Sequence, residues 1–184
     1  MHFTLADLIT DITQNAVEAG SSVVELEVSE TDKEFRFIVK DNGKGMTEEE
    51  LKRAIDPFVT DGVKHPNRKV GLGLPFLIQT AEQSGGGSEI KSEKGKGTTV
   101  TAWFDSKNVD IPPTGDIAGM FRSILMFKGS AASECLEIIL RRRKPNGEYE
   151  VRKSELADAI GGFEEVDSLV LLKEYLNSLE ESEE

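Results

Sequence analysis

Along residues 4–19, "TLADLITDITQNAVEA", apolar side chains recur every three or four positions: Leu5, Leu8, Ile9, Ile12 and Ala16. That period gathers them on one face of an α-helix, with Thr4 placed to cap its start and Gly20 to close its end. The period then changes. "SSVVELEV" and "EFRFIVK" alternate apolar and polar residues, and "SETDK" joins them as it would two antiparallel strands. Thr47 opens "TEEELKRAI" with Glu50 three residues on, the spacing of a capping box. Residues 56–73 are polar, broken by Pro57, Gly62 and Pro66, and read as a loop. A helix from about Leu74 to Gln83 follows, stopped by "SGGG", and the strands "SEIKSE" and "TTVTAWF" flank the turn "KGKG".

Periodicity fails at "DSKNVDIPPTG", residues 105–115, which reads as a linker. Beyond it the pattern predicts a helix ("GDIAGMFRSILMF"), a strand ("CLEIILRRR"), the turn "KPNG", a strand ("YEVRK"), and one or two helices ending in an acidic tail. The expected plan is a mixed α/β domain over residues 1–106 and a small α+β unit over 107–184.

Composition narrows the field of functions. The net charge of −12 disfavours non-specific binding to nucleic acid or acidic membranes, which needs cationic surface. The basic run "RRRK" at 141–144 closes a strand-like stretch and reads as a solvated hairpin end. No apolar run approaches the roughly 18–20 residues of a membrane span, and the amino terminus lacks the pattern of a signal peptide. A single cysteine, Cys135, excludes an internal disulfide and a Cys-rich metal site, so a cytoplasmic location is expected. With only His2 and His65 present, Ser/His/Asp catalysis has no evident partner.

Four short stretches carry candidate chemistry. On the first helix, Asp11 and Asn15 are i,i+4 neighbours at the rim of the apolar face, a pair suited to a hard divalent cation or to plain solvation. "DNGKGM" places Asp41 at a strand end, where it is costly to desolvate unless something donates to it. Its glycines allow close approach to the backbone. A local turn with Asp41 bonding its own backbone is the alternative. "VGLGLPFLIQT" sets two glycines before a helix amino terminus, where free N–H groups favour phosphate oxygens. Before it, Lys64, His65, Arg68 and Lys69 would suit a lid over a triphosphate. "GKGTTV" leads into a strand with Thr98 and Thr99 placed to donate hydroxyls.

Taken in order, "DITQNAVEAG", "DNGKGM", "VGLGLPF" and "GKGTTV" resemble the N box and the three glycine boxes of the GHKL superfamily, over about residues 4–104. That superfamily joins DNA gyrase, heat-shock-90 class chaperones, histidine kinases and mismatch-repair ATPases. The resemblance implies the Bergerat fold, an α/β two-layer sandwich with helices on one face of a mixed sheet. It implies that Asp41 accepts the N6 amine of adenine, that Gly43, Gly45 and Met46 line the base pocket, and that Thr98 reaches the same edge of the base. It implies that Asn15 holds Mg²⁺, that the backbone of Gly71, Leu72, Gly73 and Leu74 cradles the phosphates of ATP, and that Lys64 belongs to the lid. Asp11 falls where hydrolysing members carry a glutamate. The later run from "DPFVTDG" to "GKGTTVTAWF" resembles the histidine-kinase end of the superfamily, and the free-standing anti-sigma-factor kinases have a similar stripped-down catalytic domain.

The leading expectation is therefore a cytoplasmic Mg-ATP-binding regulatory protein that transfers a phosphoryl group to a Ser, Thr or His of a partner. The alternative is a slow or non-catalytic ATPase whose lid gates a protein interaction, with ATP or ADP as the signal. A protein partner is expected in either case, a homodimer is open to it, and nucleic acid and membrane are not expected.

Overall fold

The computed structural model describes residues 3–58, 73–130 and 136–181. The elements fall where the periodicity places them: α1 (Leu5–Glu18), β1 (Val23–Glu30), β2 (Glu34–Asp41), α2 (Glu48–Ile55), α3 (Gly73–Gln83), β3 (Gly87–Glu93) and β4 (Gly97–Asp105). They continue with α4 (Ile117–Leu125), β5 (Glu137–Lys144), β6 (Gly147–Arg152), α5 (Lys153–Ile160) and α6 (Val166–Glu181). The six strands form one sheet in the order β3-β4-β2-β1-β5-β6. Every neighbouring pair is antiparallel except β1 and β5, so the sheet is mixed. The helices α1, α3 and α4 pack on it, giving the α/β sandwich of the Bergerat fold.

Alternation decides which face is covered. On β1 and β2, Val24, Leu26, Val28, Phe35, Phe37 and Val39 are buried, and Val100, Ala102 and Phe104 of β4 and Ile138 and Leu140 of β5 continue the layer. The helix stripe Leu5, Leu8, Ile9, Ile12 and Ala16 closes over it. Phe35, Phe37, Phe104 and Phe121 are fully enclosed, each contributing roughly 1.5–3 kcal/mol by leaving water. Both expected caps are present. Thr4 accepts from Asp7 N at 3.1 Å and Thr47 from Glu50 N at 3.2 Å, while the Asp7 and Glu50 carboxylates bond back to the capping amides.

Residues 107–181 supply an α+β set, α4, β5, β6, α5 and α6, but their strands extend the first sheet and do not build a second one. β5 lies in parallel register with β1, with Val24 opposite Ile138 and Val28 opposite Arg142. The proline-containing stretch before α4 is a strap along α1: Leu5 N donates to Pro113 O at 2.9 Å and Ala6 N to Thr114 O at 3.0 Å. Two unsatisfied amides of a helix start thus find partners in a segment that lacks periodicity of its own.

The run "RRRK" corrects a sequence expectation. Arg141 and Arg143 do lie on the outer face, paired with Glu25 and Glu150 and with Glu27 and Glu148. Arg142, however, points to the covered face and is 3% exposed, because alternation along a strand reverses direction at every residue. Charged neighbours on both faces hide that reversal from a reading of composition.

Candidate functional site

Asp41 is the last residue of β2, and its register partner on β4 is Thr98. Ser92 on β3 in turn faces Thr98. By alternation all three lie on the covered face, at one end of the sheet, where the apolar layer stops. The Asp41 carboxylate is partly buried. Its Oδ1 accepts from Gly43 N at 2.8 Å and from Ser21 Oγ at 3.3 Å. Desolvation pushes its pKa up, and the Gly43 amide, the Ser21 hydroxyl and the Thr98 backbone only partly oppose that. Among the described residues no cation contributes to this balance. A carboxylate so placed gains from a further neutral donor, and an exocyclic amine on a purine supplies one.

The turn alternative holds as well: the Gly43 amide to Asp41 closes a side-chain turn. The neighbouring Asn42 is structural. Its Oδ1 accepts from Ser22 N and Val23 N, each at 3.0 Å, and its Nδ2 donates to Ser22 Oγ at 2.9 Å, which fixes the start of β1.

Residues 43–46 are strapped between α1 and the β3–β4 turn. Lys44 N donates to Ala19 O at 2.9 Å, Gly95 N to Lys44 O at 2.7 Å, and Met46 N to Ser92 Oγ at 2.8 Å. Two glycines of this region combine positive φ with backbone close by. A Cβ on Gly45, at φ +58°, would stand 1.9 Å from Glu93 O. One on Gly97, at φ +120°, would stand 2.0 Å from Asp41 O. In both cases the demand comes from protein backbone; for Gly45 the sequence reading had attributed it to ligand approach.

Asp11 and Asn15 lie exposed on α1. Gly73, the first residue of α3, sits against Asn15: a Cβ there would be 3.4 Å from Asn15 Nδ2. The first turn of α3 therefore begins beside the Asn15 carboxamide, and the amides of a helix start are suited to phosphate oxygens. Leu74, next on α3, packs its side chain against the core. A hard cation suits the neutral oxygen of Asn15 and the carboxylate one turn away on Asp11.

Of the expected site residues, Asp41, Gly43, Gly45, Met46 and Thr98 meet at one end of the sheet, and Asn15, Gly73 and Leu74 meet where α1 and α3 converge. Asp11 lies one turn from Asn15 on α1. Lys64, Gly71 and Leu72 lie outside the described residues, as do His2, His65, Arg68, Lys69 and Cys135. Sequence reasoning missed Ser21 and Ser92, which contact Asp41 and Thr98. Ser92 had a signal: it alternates with Ile90, so it takes a core-facing position that an apolar residue would otherwise fill.

Residues 3–108 match the profile of the family described as histidine kinase-, DNA gyrase B-, and HSP90-like ATPase. Among similar proteins, Sensor histidine kinase ZraS of Escherichia coli (strain K12) is 30% identical over 102 residues, covering 54% of this chain and 21% of that protein. Sporulation kinase C of Bacillus subtilis (strain 168) is 33% identical over 96 residues, 51% of this chain and 22% of the relative. Sporulation kinase E of the same organism is 35% identical over 98 residues, 51% of this chain and 13% of the relative. The chain spans about a fifth or less of the length of these relatives. With its glycine boxes strapped around a desolvated aspartate, the chain belongs to the histidine kinase-, DNA gyrase B- and HSP90-like ATPase family, whose domain binds ATP.

Proposed function

We propose that the protein binds Mg-ATP across this end of the sheet and transfers the γ-phosphoryl group to a Ser, Thr or His of a partner protein. One observation carries the reading: a half-desolvated carboxylate, met by neutral donors among the described residues, lies by the carboxy-terminal end of α1, the part of α1 against which the start of α3 also rests. Asp41 accepts the base amine, Thr98 meets the same edge, and Gly43, Gly45 and Met46 form the pocket wall. The amides at Gly73 and Leu74, with Gly71 and Leu72 before them, bond phosphate oxygens, and Lys64 adds charge from the lid. Asn15 would hold Mg²⁺, which supplies neutralisation of the charge that develops on the transferred group. Asp11 aligns the acceptor hydroxyl or imidazole. The kinase names of the similar proteins support transfer to protein.

A second reading rests on Asp11 itself. Aspartate is shorter than glutamate by one methylene, about 1.5 Å, and misplacement of that order costs about 10²-fold in rate. The protein would then be an ATP-gated switch, its lid exposing or hiding a partner surface. In both readings it works in the cytoplasm, alone or as a homodimer, and among the described residues no helix is long and apolar enough to cross a membrane.

The test follows γ-labelled ATP with Mg²⁺ in lysate of the source cells, with wild type and Asp11→Asn in parallel. Label on a second protein, lost with Asp11→Asn, is the expected result. Tight nucleotide binding with no labelled protein overturns transfer and leaves the switch.

A further inference from the structure

The Ser92 hydroxyl has more partners than a single proton can serve as donor. It accepts from Met46 N at 2.8 Å, lies 2.8 Å from Thr98 Oγ1 with either oxygen able to donate, and reaches Gly97 O at 3.3 Å. Two proton arrangements follow. In one, Thr98 donates to Ser92 and Ser92 to Gly97 O, which leaves Thr98 only lone pairs to offer a ligand. In the other, Ser92 donates to Thr98, and the Thr98 proton is free to point into the site. Asp41, the register partner of Thr98, is an acceptor.

We infer that Ser92 is a positioning residue for base recognition: it donates to Thr98 when nucleotide binds, so that Thr98 presents a donor beside the acceptor Asp41. An edge offering acceptor then donor is matched by the N6 amine and N1 lone pair of adenine. Guanine presents O6 and N1–H and is mismatched at both. The same Ser92 oxygen, through Met46 N, holds residues 43–46 against β3, so base reading and pocket wall share one hydroxyl. The inference rests on the nucleotide-binding reading above.

The test measures equilibrium binding of ATP, ADP and 1-deaza-ATP, which lacks the N1 acceptor, to the full chain as wild type, Ser92→Ala, Ser92→Thr, Ser92→Cys and Thr98→Val. Wild type is expected to prefer ATP to 1-deaza-ATP by about tenfold, the scale of one hydrogen bond. Ser92→Ala is expected to weaken ATP and ADP equally and to bring the ATP to 1-deaza-ATP ratio close to one, with Ser92→Thr restoring it. Ser92→Cys, which keeps the size of the side chain but donates weakly, is expected to lower the ratio too, so the outcome does not depend on Ser92→Ala folding; Thr98→Val collapses the ratio with Ser92 intact and shows that the ratio reads the Thr98 donor. A ratio unchanged in Ser92→Ala overturns the inference while leaving nucleotide binding in place. Wild type that binds none of the three overturns the nucleotide reading itself.

Discussion

The covered face of the sheet carries a charged residue at each end, and the two are solved differently. At one end Arg142 is buried, with Nη2 2.6 Å from Glu30 Oε2, Nε 3.3 Å from Glu180 Oε1, and Nη1 donating to Arg143 O at 3.2 Å. The Tyr149 hydroxyl donates to Glu180, and burial and that carboxylate hold its pKa well above the usual value. Lys144 Nζ donates to Leu179 O and Glu180 O, each at 2.9 Å, closing the end of α6. At the other end Asp41 has an amide, a hydroxyl and backbone for company, and among the described residues no cation. Buried charge that is matched by charge fastens elements together: here α6, β1, β5 and β6. Partly buried charge left with neutral donors is costly to the fold unless a further donor meets it.

The sharpest way to break the comparison is to remove Arg142. Arg142→Ala leaves two carboxylates facing each other and is expected to cost about 3–5 kcal/mol in urea unfolding. Nucleotide affinity of the folded fraction should not change, since the Asp41 end is untouched. Asp41→Asn should do the reverse. Loss of a hydrogen bond to a charged group is expected to weaken ATP by about 1.5–3 kcal/mol, roughly 10- to 150-fold in titration calorimetry.

The effect of Asp41 on stability has the opposite sign. A carboxyl whose pKa is raised on folding favours the fold while protonated, and that contribution is lost as pH rises through the raised value. At neutral pH the ionised group therefore costs stability, and Asp41→Asn should melt at the same temperature as wild type or higher without nucleotide. By the same shift, ATP affinity in wild type should fall as pH drops through the raised pKa of Asp41, and Asp41→Asn should flatten that profile.

A smaller effect tests the strap between the two ends of the glycine stretch. Gly45→Ala, at positive φ and against Glu93 O, is expected to cost about 1–3 kcal/mol in thermal unfolding. It should also weaken nucleotide through Met46. The smallest effect belongs to Arg143, next in the chain to Arg142 but on the outer face. Arg143→Ala should cost less than about 1 kcal/mol. A loss equal to that of Arg142→Ala would mean that burial does not separate the two arginines.

Element positions were legible because period alone distinguishes a helix covered on one side from a strand covered on one side. The Leu5–Ala16 stripe, both caps and the alternation of β1, β2 and β4 needed no long-range information. Asp41 and Thr98 were legible through the order of the glycine boxes. Ser21 was not, because its partner Asp41 lies 20 residues away in the chain; for Ser92 the alternation with Ile90 gave the face but not the partner, Thr98. The Arg142 cluster was illegible for the same reason: its carboxylates come from positions 112 and 38 residues distant.

By itself the sequence determined the succession of helices and strands, the family, and the acid at the end of β2, since each depends on neighbours within a few residues or on motif order. Only the tertiary structure decided that β5 joins β1, that Arg142 faces inward between Arg141 and Arg143, and that Gly45 and Gly97 yield to protein backbone. Strand pairing and close approach are contacts between segments far apart in the chain, and no local pattern encodes which of them will meet.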